Sequence, residues 1–137
     1  MPPRYFTVDQ ANRLLPELIP LLEELRALKR RLDNLQGEQA RLLEKARTNG
    51  HNRAAETADI AGEVERLINE SGERLARIRA LGVEVKDIEL GLVDFLSLHR
   101  GKRVYLCWKL GEPSVRFWHT LEDGYAGRQP IPEIGDA

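Results

Sequence analysis

Leu75-Ala76-Arg77-Ile78-Arg79-Ala80-Leu81-Gly82-Val83-Glu84-Val85-Lys86 is the stretch on which the fold turns. Before Gly82, Leu75, Ile78 and Leu81 recur at the spacing of one helix face; after it, Val83 and Val85 alternate with charged residues, the period of a half-buried strand. Gly82, free to adopt positive φ, is placed to end the helix. The chain therefore reads as helix up to this point and sheet beyond it, an α+β arrangement.

Upstream, Ala54 to about Leu81 forms one helix, with a stripe of Ala61, Val64, Ile68, Ser71, Leu75 and Ile78 widened by Ile60, Leu67 and Leu81. Gly62 and Gly72 within it each cost roughly 1 kcal/mol relative to Ala. Thr48-Asn49-Gly50 supplies a turn, with His51 beside it as a solvated residue. A longer helix precedes that turn. It opens with Thr7 and Gln10, a capping box in which each side chain satisfies a free backbone N–H. Its apolar residues then alternate by three and four: Ala11, Leu14, Leu18, Leu21, Leu25, Leu28, Leu32, Leu35, with Gln39, Leu42 and Ala46 continuing the series. That is the heptad pattern of a coiled coil. Pro16 and Pro20 fall on outward positions, where they bend the helix and leave the seam intact. The two helices are expected to pair as an antiparallel hairpin.

Downstream, about four antiparallel strands are expected: Val83–Lys86, then Leu92–Leu98 after a turn or bulge at Gly91, then Val104–Leu110, then a strand marked by Val115 and Phe117. Arg100-Gly101-Lys102 and Gly111-Glu112-Pro113-Ser114 have the residues of hairpin loops.

The whole is 137 residues with 21 basic and 22 acidic side chains and a net charge of −1. Mean hydropathy is −0.45. Disorder does not fit a near-neutral chain rich in Leu, Ile and Val. No apolar run approaches the ~20 residues needed to span a bilayer, and no signal peptide opens the chain. Cys107, the single cysteine, excludes an intrachain disulfide, and the expected compartment is the cytoplasm. Residues 1–82 carry 14 basic and 13 acidic side chains, whereas residues 83–137 hold both tryptophans, Trp108 and Trp118. One elongated domain of 1–137 is expected, a helical hairpin (1–82) followed by a β head and tail (83–137).

At 1.5 Å per residue the first helix is ~60 Å long, beyond the ~37 Å diameter of a compact globule of this size. Its partner is shorter, so part of the leucine seam (Leu18, Leu21, Leu25, Leu28, Leu32, Leu35) lies beyond that partner's reach. Each Leu left in water forfeits roughly 1.5–3 kcal/mol. A homodimer through the helices is the expected remedy.

Val85-Lys86-Asp87, Gly91-Leu92-Val93-Asp94-Phe95, Leu106-Cys107-Trp108-Lys109-Leu110-Gly111-Glu112, Phe117-Trp118-His119 and Gly124-Tyr125-Ala126-Gly127-Arg128 resemble an uncharacterised bacterial family, domain of unknown function 2203. The opening Tyr5-Phe6-Thr7-Val8, Ala11-Asn12 and Leu15-Pro16 resemble it too. Leu96 departs from a proline common there. The resemblance implies a fold and a bacterial origin but no activity.

Six polar residues are candidates for chemistry: Asp87, Asp94, Cys107, Glu112, His119 and Arg128. Asp94 shares the parity of Leu92, Leu96 and Leu98, and His119 that of Val115 and Phe117. A carboxylate and an imidazole on apolar faces of one sheet can meet as a buried acid/base pair. Were Asp87 or Glu112 to converge there, a His–carboxylate metal site would result, with His119 and Asp94 as ligands. The plainer account makes His119 a packed, hydrogen-bonded residue and the Asp residues near Gly91 turn stabilisers. Cys107 has no preceding helix N-terminus or glycine turn to lower its pKa and reads as a buried structural thiol. The Gly- and Pro-rich tail is expected to cross the sheet and carry Arg128 over His119, there to hold an anion, pair with Asp94 or form an internal salt bridge. No common catalytic signature occurs.

Tyr105, Trp108, Trp118 and Tyr125 near several arginines suggest a base-stacking surface. Residues 83–137, however, carry 7 basic against 9 acidic side chains, the wrong balance for nucleic acid. The leading expectation is a non-enzymatic module whose helical hairpin dimerises or docks a protein partner, with no membrane contact and no cofactor. The alternatives are a small metal-binding protein or enzyme using Asp94 and His119 with a divalent metal, and, third, a nucleic-acid-binding protein.

Overall fold

The computed structural model describes residues 3–49 and 54–132. Two helices, α1 (Val8–Asn49) and α2 (Ala54–Ala80), precede β1 (Val83–Asp87), β2 (Leu92–His99), β3 (Lys102–Lys109), β4 (Phe117–Thr120) and β5 (Gln129–Pro130). Among the described residues the strands form one antiparallel sheet in chain order. The α+β reading holds, with a fifth strand where about four were expected. A two-residue strand leaves no period in the sequence, and Pro130 sits at a sheet edge, where its missing N–H goes unneeded.

The capping box forms as read: the Thr7 N–H donates to Gln10 Oε1 at 2.9 Å and the Gln10 N–H to Thr7 Oγ1 at 3.1 Å. α1 then runs unbroken through Pro16 and Pro20, both exposed. Gly50 and His51 lie outside the described residues. Glu24 pairs with Arg74 at 3.3 Å and Arg31 with Glu63 at 3.4 Å, so the two helices run antiparallel.

The seams differ in phase from the heptad reading. On α1, Ala11, Leu15, Leu18, Leu22, Leu25 and Leu32 are buried, while Leu14, Leu21, Leu28 and Leu35 are half-buried. On α2, Leu67 and Ile78 are buried and Ile60, Val64, Ser71, Leu75 and Leu81 half-buried, within the stripe as read, whereas Ala61 and Ile68 are exposed, so the stripe leans to its Ile60–Leu67 side. The cause is a second contact surface. Ala11, Leu15, Leu18, Leu22 and Leu25 share one core with Val93, Phe95, Leu106 and Trp108 of the sheet as well as Ile78 of α2. The near half of α1 is thus a helix packed on a sheet, and its apolar stripe is correspondingly wide. The leucines beyond the reach of α2 are covered by the sheet of the same chain, so the seam does not by itself require a second copy.

Arg100 (φ 52°) and Gly101 (φ 79°) form a two-residue turn between β2 and β3. Consecutive positive φ values are those of the hairpin turn whose twist matches the flanking strands. It pairs Val93 with Trp108, Asp94 with Cys107 and Phe95 with Leu106. Val93, Phe95, Leu106 and Trp108 face the helices, and by alternation Asp94 and Cys107 face the other side. Beyond its pairing with β1, β2 is finished by the N-terminal segment: the Phe6 N–H donates to the Leu96 carbonyl at 2.8 Å and Ser97 Oγ donates to the Phe6 carbonyl at 2.6 Å.

Gly91 (φ 63°) turns the chain from β1 into β2, and a Cβ there would lie 2.4 Å from the Leu110 side chain. Gly91→Ala is expected to lower unfolding free energy by about 1–3 kcal/mol. A Cβ at Gly62 meets nothing within 4 Å, so Gly62→Ala is expected to raise it by about 1 kcal/mol. Urea midpoints of the two variants check the opposite signs.

Candidate functional site

The sheet face turned away from the helices carries a buried polar cluster. β2 supplies Asp94, β3 supplies Cys107 directly opposite it, and β4 supplies His119, paired with Tyr105 two residues from Cys107. One donor atom from each of Asp94, Cys107 and His119 lies within 4.8 Å of the others, and all three residues are buried. The side chains of His119 and Asp94 are each only 3% exposed. Asp94 and His119 meet as the parity of their strands suggested. Cys107 joins them, which strand parity alone did not reveal.

Hydrogen bonding settles the tautomer of His119. Its Nδ1 lies 2.7 Å from the Thr120 carbonyl oxygen. A carbonyl only accepts, so Nδ1 carries a hydrogen and donates it. Nε2 then faces Asp94 Oδ1 and Oδ2 at 3.0 and 3.1 Å. One proton is shared across that contact, since a bare lone pair would otherwise face a bare carboxylate. Burial pushes the Asp94 carboxyl above its ordinary range, against the pull of His119, Lys86 and the Cys107 thiol. Burial likewise pushes the Cys107 thiol up to about 12, with the neighbouring Asp94 adding to the shift. In this state the thiol is a neutral hydrogen-bond donor and a poor nucleophile.

Around the cluster, the Tyr105 ring lies 5.5 Å from the His119 ring and the Lys86 ammonium 5.4 Å from the Tyr105 ring. A hydrogen bond to Glu84, then burial, raises the Tyr105 phenol to about 12. Lys86, Leu92, Asp94, Tyr105, His119, Leu121, Gly124 and Tyr125 line a pocket of about 200 Å³ over this face. Asp94 and His119 contribute to the pocket wall.

The other candidates stand elsewhere. Asp87 is exposed, and its Oδ1 accepts the Leu90 N–H at 2.9 Å, a turn role. Arg128 does not pair with Asp94: its Nη1 and Nη2 donate to Glu112 Oε2 and Oε1, both at 2.9 Å, and Nη2 also to the Cys107 carbonyl at 3.3 Å. Its guanidinium lies 4.0 Å from the Phe117 ring centre and 4.9 Å from that of Tyr125. Glu112 is occupied by Arg128 and by the Lys109 N–H at 2.9 Å, which removes it from the His119 group. The pair clamps the tail onto the sheet. Trp108 is 1% exposed and its Nε1 donates to the Glu112 carbonyl, so it offers no face to a base. Lys86, Tyr105 and Tyr125 belong at this site and were not singled out for it. The signal was available: a two-residue turn at Arg100-Gly101 makes Asp94 and Cys107 cross-strand partners.

Removing the imidazole takes from the buried Asp94 carboxyl its strongest partner, and His119→Ala is expected to cost about 3–5 kcal/mol at neutral pH. A carboxyl whose folded pKa exceeds its unfolded value of about 3.9 favours folding below that value and loses the contribution as pH rises through the folded pKa. Losing the pull of His119 raises the Asp94 carboxyl further, so the deficit of the variant grows as pH rises above about 4. Urea unfolding in acid and at neutral pH checks it, and a flat deficit contradicts the account.

No helix among the described residues is long and apolar enough to cross a membrane. No curated protein and no solved structure gives a significant match to the chain. One family model matches residues 4–131, spanning both helices and the sheet. The chain belongs to that family, the uncharacterized conserved proteins of DUF2203.

Proposed function

We propose that the β head is a binding module for a divalent transition metal of the zinc class, held by Asp94, Cys107 and His119. The observation that carries this reading is the convergence of three buried side chains of ligand type, with donor atoms within 4.8 Å of one another. Zinc bonds of about 2.0–2.3 Å in a tetrahedron separate ligand atoms by roughly 3.3–3.6 Å, so rotamer adjustments of about 1 Å suffice. Thiolate and imidazole together favour zinc over magnesium or calcium. The Thr120 carbonyl already holds Nδ1–H, the outer contact that metal-binding histidines ordinarily make, and leaves Nε2 for the ion. Two anionic ligands and a dication sum to neutrality, which relieves the burial of Asp94. A reduced Cys107 suits the cytoplasm.

Binding displaces the proton shared by Asp94 and His119 and the proton of the Cys107 thiol, so affinity rises with pH. Cobalt(II) added to the full chain is expected to bind one to one, with a thiolate-to-cobalt charge-transfer band that Cys107→Ser abolishes. Calorimetry with zinc in buffers of different ionisation enthalpy is expected to show about two protons released per ion. Uptake no stronger in the wild type than in Cys107→Ser overturns the reading.

A second reading concerns the far end of the hairpin. Beyond Leu32 no described residue of α1 is fully buried; Leu35 and Leu42 are half-buried, and Leu43 is 53% exposed. We infer that this end pairs with a second copy to form four helices. Light scattering at micromolar concentration is expected to give a dimer mass in the wild type and a monomer mass in Leu43→Glu. A monomeric wild type ends this reading.

A further inference from the structure

We propose that the pocket beside the Asp94–Cys107–His119 cluster takes a small carboxylate with an apolar body, its carboxylate bridging the bound metal and Lys86. The proposal rests on the metal reading above and adds the ligand class. Three protein ligands leave one position of a tetrahedral ion open, the arrangement of sites that bind an exogenous group. Asp94 and His119 both line the pocket, so an ion held by them has that space next to it. At about 200 Å³ the pocket is smaller than the roughly 300–1,000 Å³ typical of drug-sized ligands, which limits the occupant to a small metabolite.

The lining then selects by charge and shape. With Asp94 and Cys107 neutralised by the ion, Lys86 is the one fully charged side chain left on the wall among the described residues. Glu84 holds its ammonium at 3.2 Å and also accepts from the Tyr105 phenol, which sets both side chains in place. The ammonium keeps further N–H donors for a ligand anion. The remaining wall is apolar or aromatic: Leu92, Leu121, and the rings of Tyr105 and Tyr125. Lys109 Nζ hydrogen-bonds the Tyr125 hydroxyl at 2.9 Å, steadying that ring at the tail. An ion and an ammonium at one end and four apolar or aromatic side chains around the rest describe a site for a single carboxylate on a short hydrophobic or planar body.

The probe is benzoate, titrated into the cobalt-loaded full chain and followed by the cobalt visible bands and by NMR of the tyrosine rings. The expected result is a saturable change of the cobalt bands, with benzyl alcohol producing none. The cobalt-loaded Lys86→Met variant is expected to bind benzoate about tenfold more weakly than the cobalt-loaded wild type. Cobalt bands that appear normally but ignore benzoate overturn the ligand assignment alone. Equal binding by Lys86→Met, by benzyl alcohol, or by the metal-free chain also overturns it. Failure of cobalt to bind at all removes the metal reading itself, so the two failures are told apart in one titration series.

Discussion

The two-residue turn at Arg100-Gly101 is the constraint on which the rest depends. Both residues hold positive φ, and the pair closes β2 onto β3 with His99 opposite Lys102. Strand alternation then leaves no freedom. Phe95 and Leu106 must face one way, and Asp94 and Cys107 the other. A slip of one residue would exchange the two sets, exposing Phe95, Leu106 and Trp108 while driving a carboxylate against the helices. The oily core and the polar cluster are therefore two faces of one register. Arg100 is the only non-glycine among the described residues at positive φ, and its strain is held in place by the ladder on both sides.

The features read correctly in the chain are those with short-range causes. Thr7 and Gln10 cap α1 because a hydroxyl and an amide three residues apart reach each other's backbone. Gly82 ends the helical part at φ 90°, and the period change beyond it marks the sheet. The readings that needed correction involve partners far along the chain. Leu15 and Leu22, in place of Leu14 and Leu21, reach the deepest positions because the sheet, more than sixty residues on, lies against α1. A heptad count assumes one partner per helix, and α1 has two. The site divides in the same way. Parity placed Asp94 and His119 on one face. Arg128 could be placed only by knowing that the tail returns to Glu112, where a bidentate pair and two aromatic rings are ready for it.

Burying Asp94, Cys107 and His119 together works against stability unless every polar atom is served. Here Thr120, the shared proton and the thiol hydrogen bond serve them, at the cost of a carboxyl and a thiol both held far from their charged forms. A core of valine and leucine in the same three positions would need none of this, so packing alone does not account for the polar groups there.

The division of labour along α1 carries a further consequence. Its near half is part of the sheet's core, whereas Arg30, paired with Glu89 in the β1–β2 turn, is the last α1 residue joined by an ion pair to the sheet region among the described residues. Beyond Asp33, which faces the same turn, no described α1 residue belongs to the core shared with the sheet. The length of the projection is therefore decoupled from the head: matched turns can be added to or removed from both arms without disturbing a strand, a ligand or the register. Such a chain can change its reach while keeping its chemistry constant.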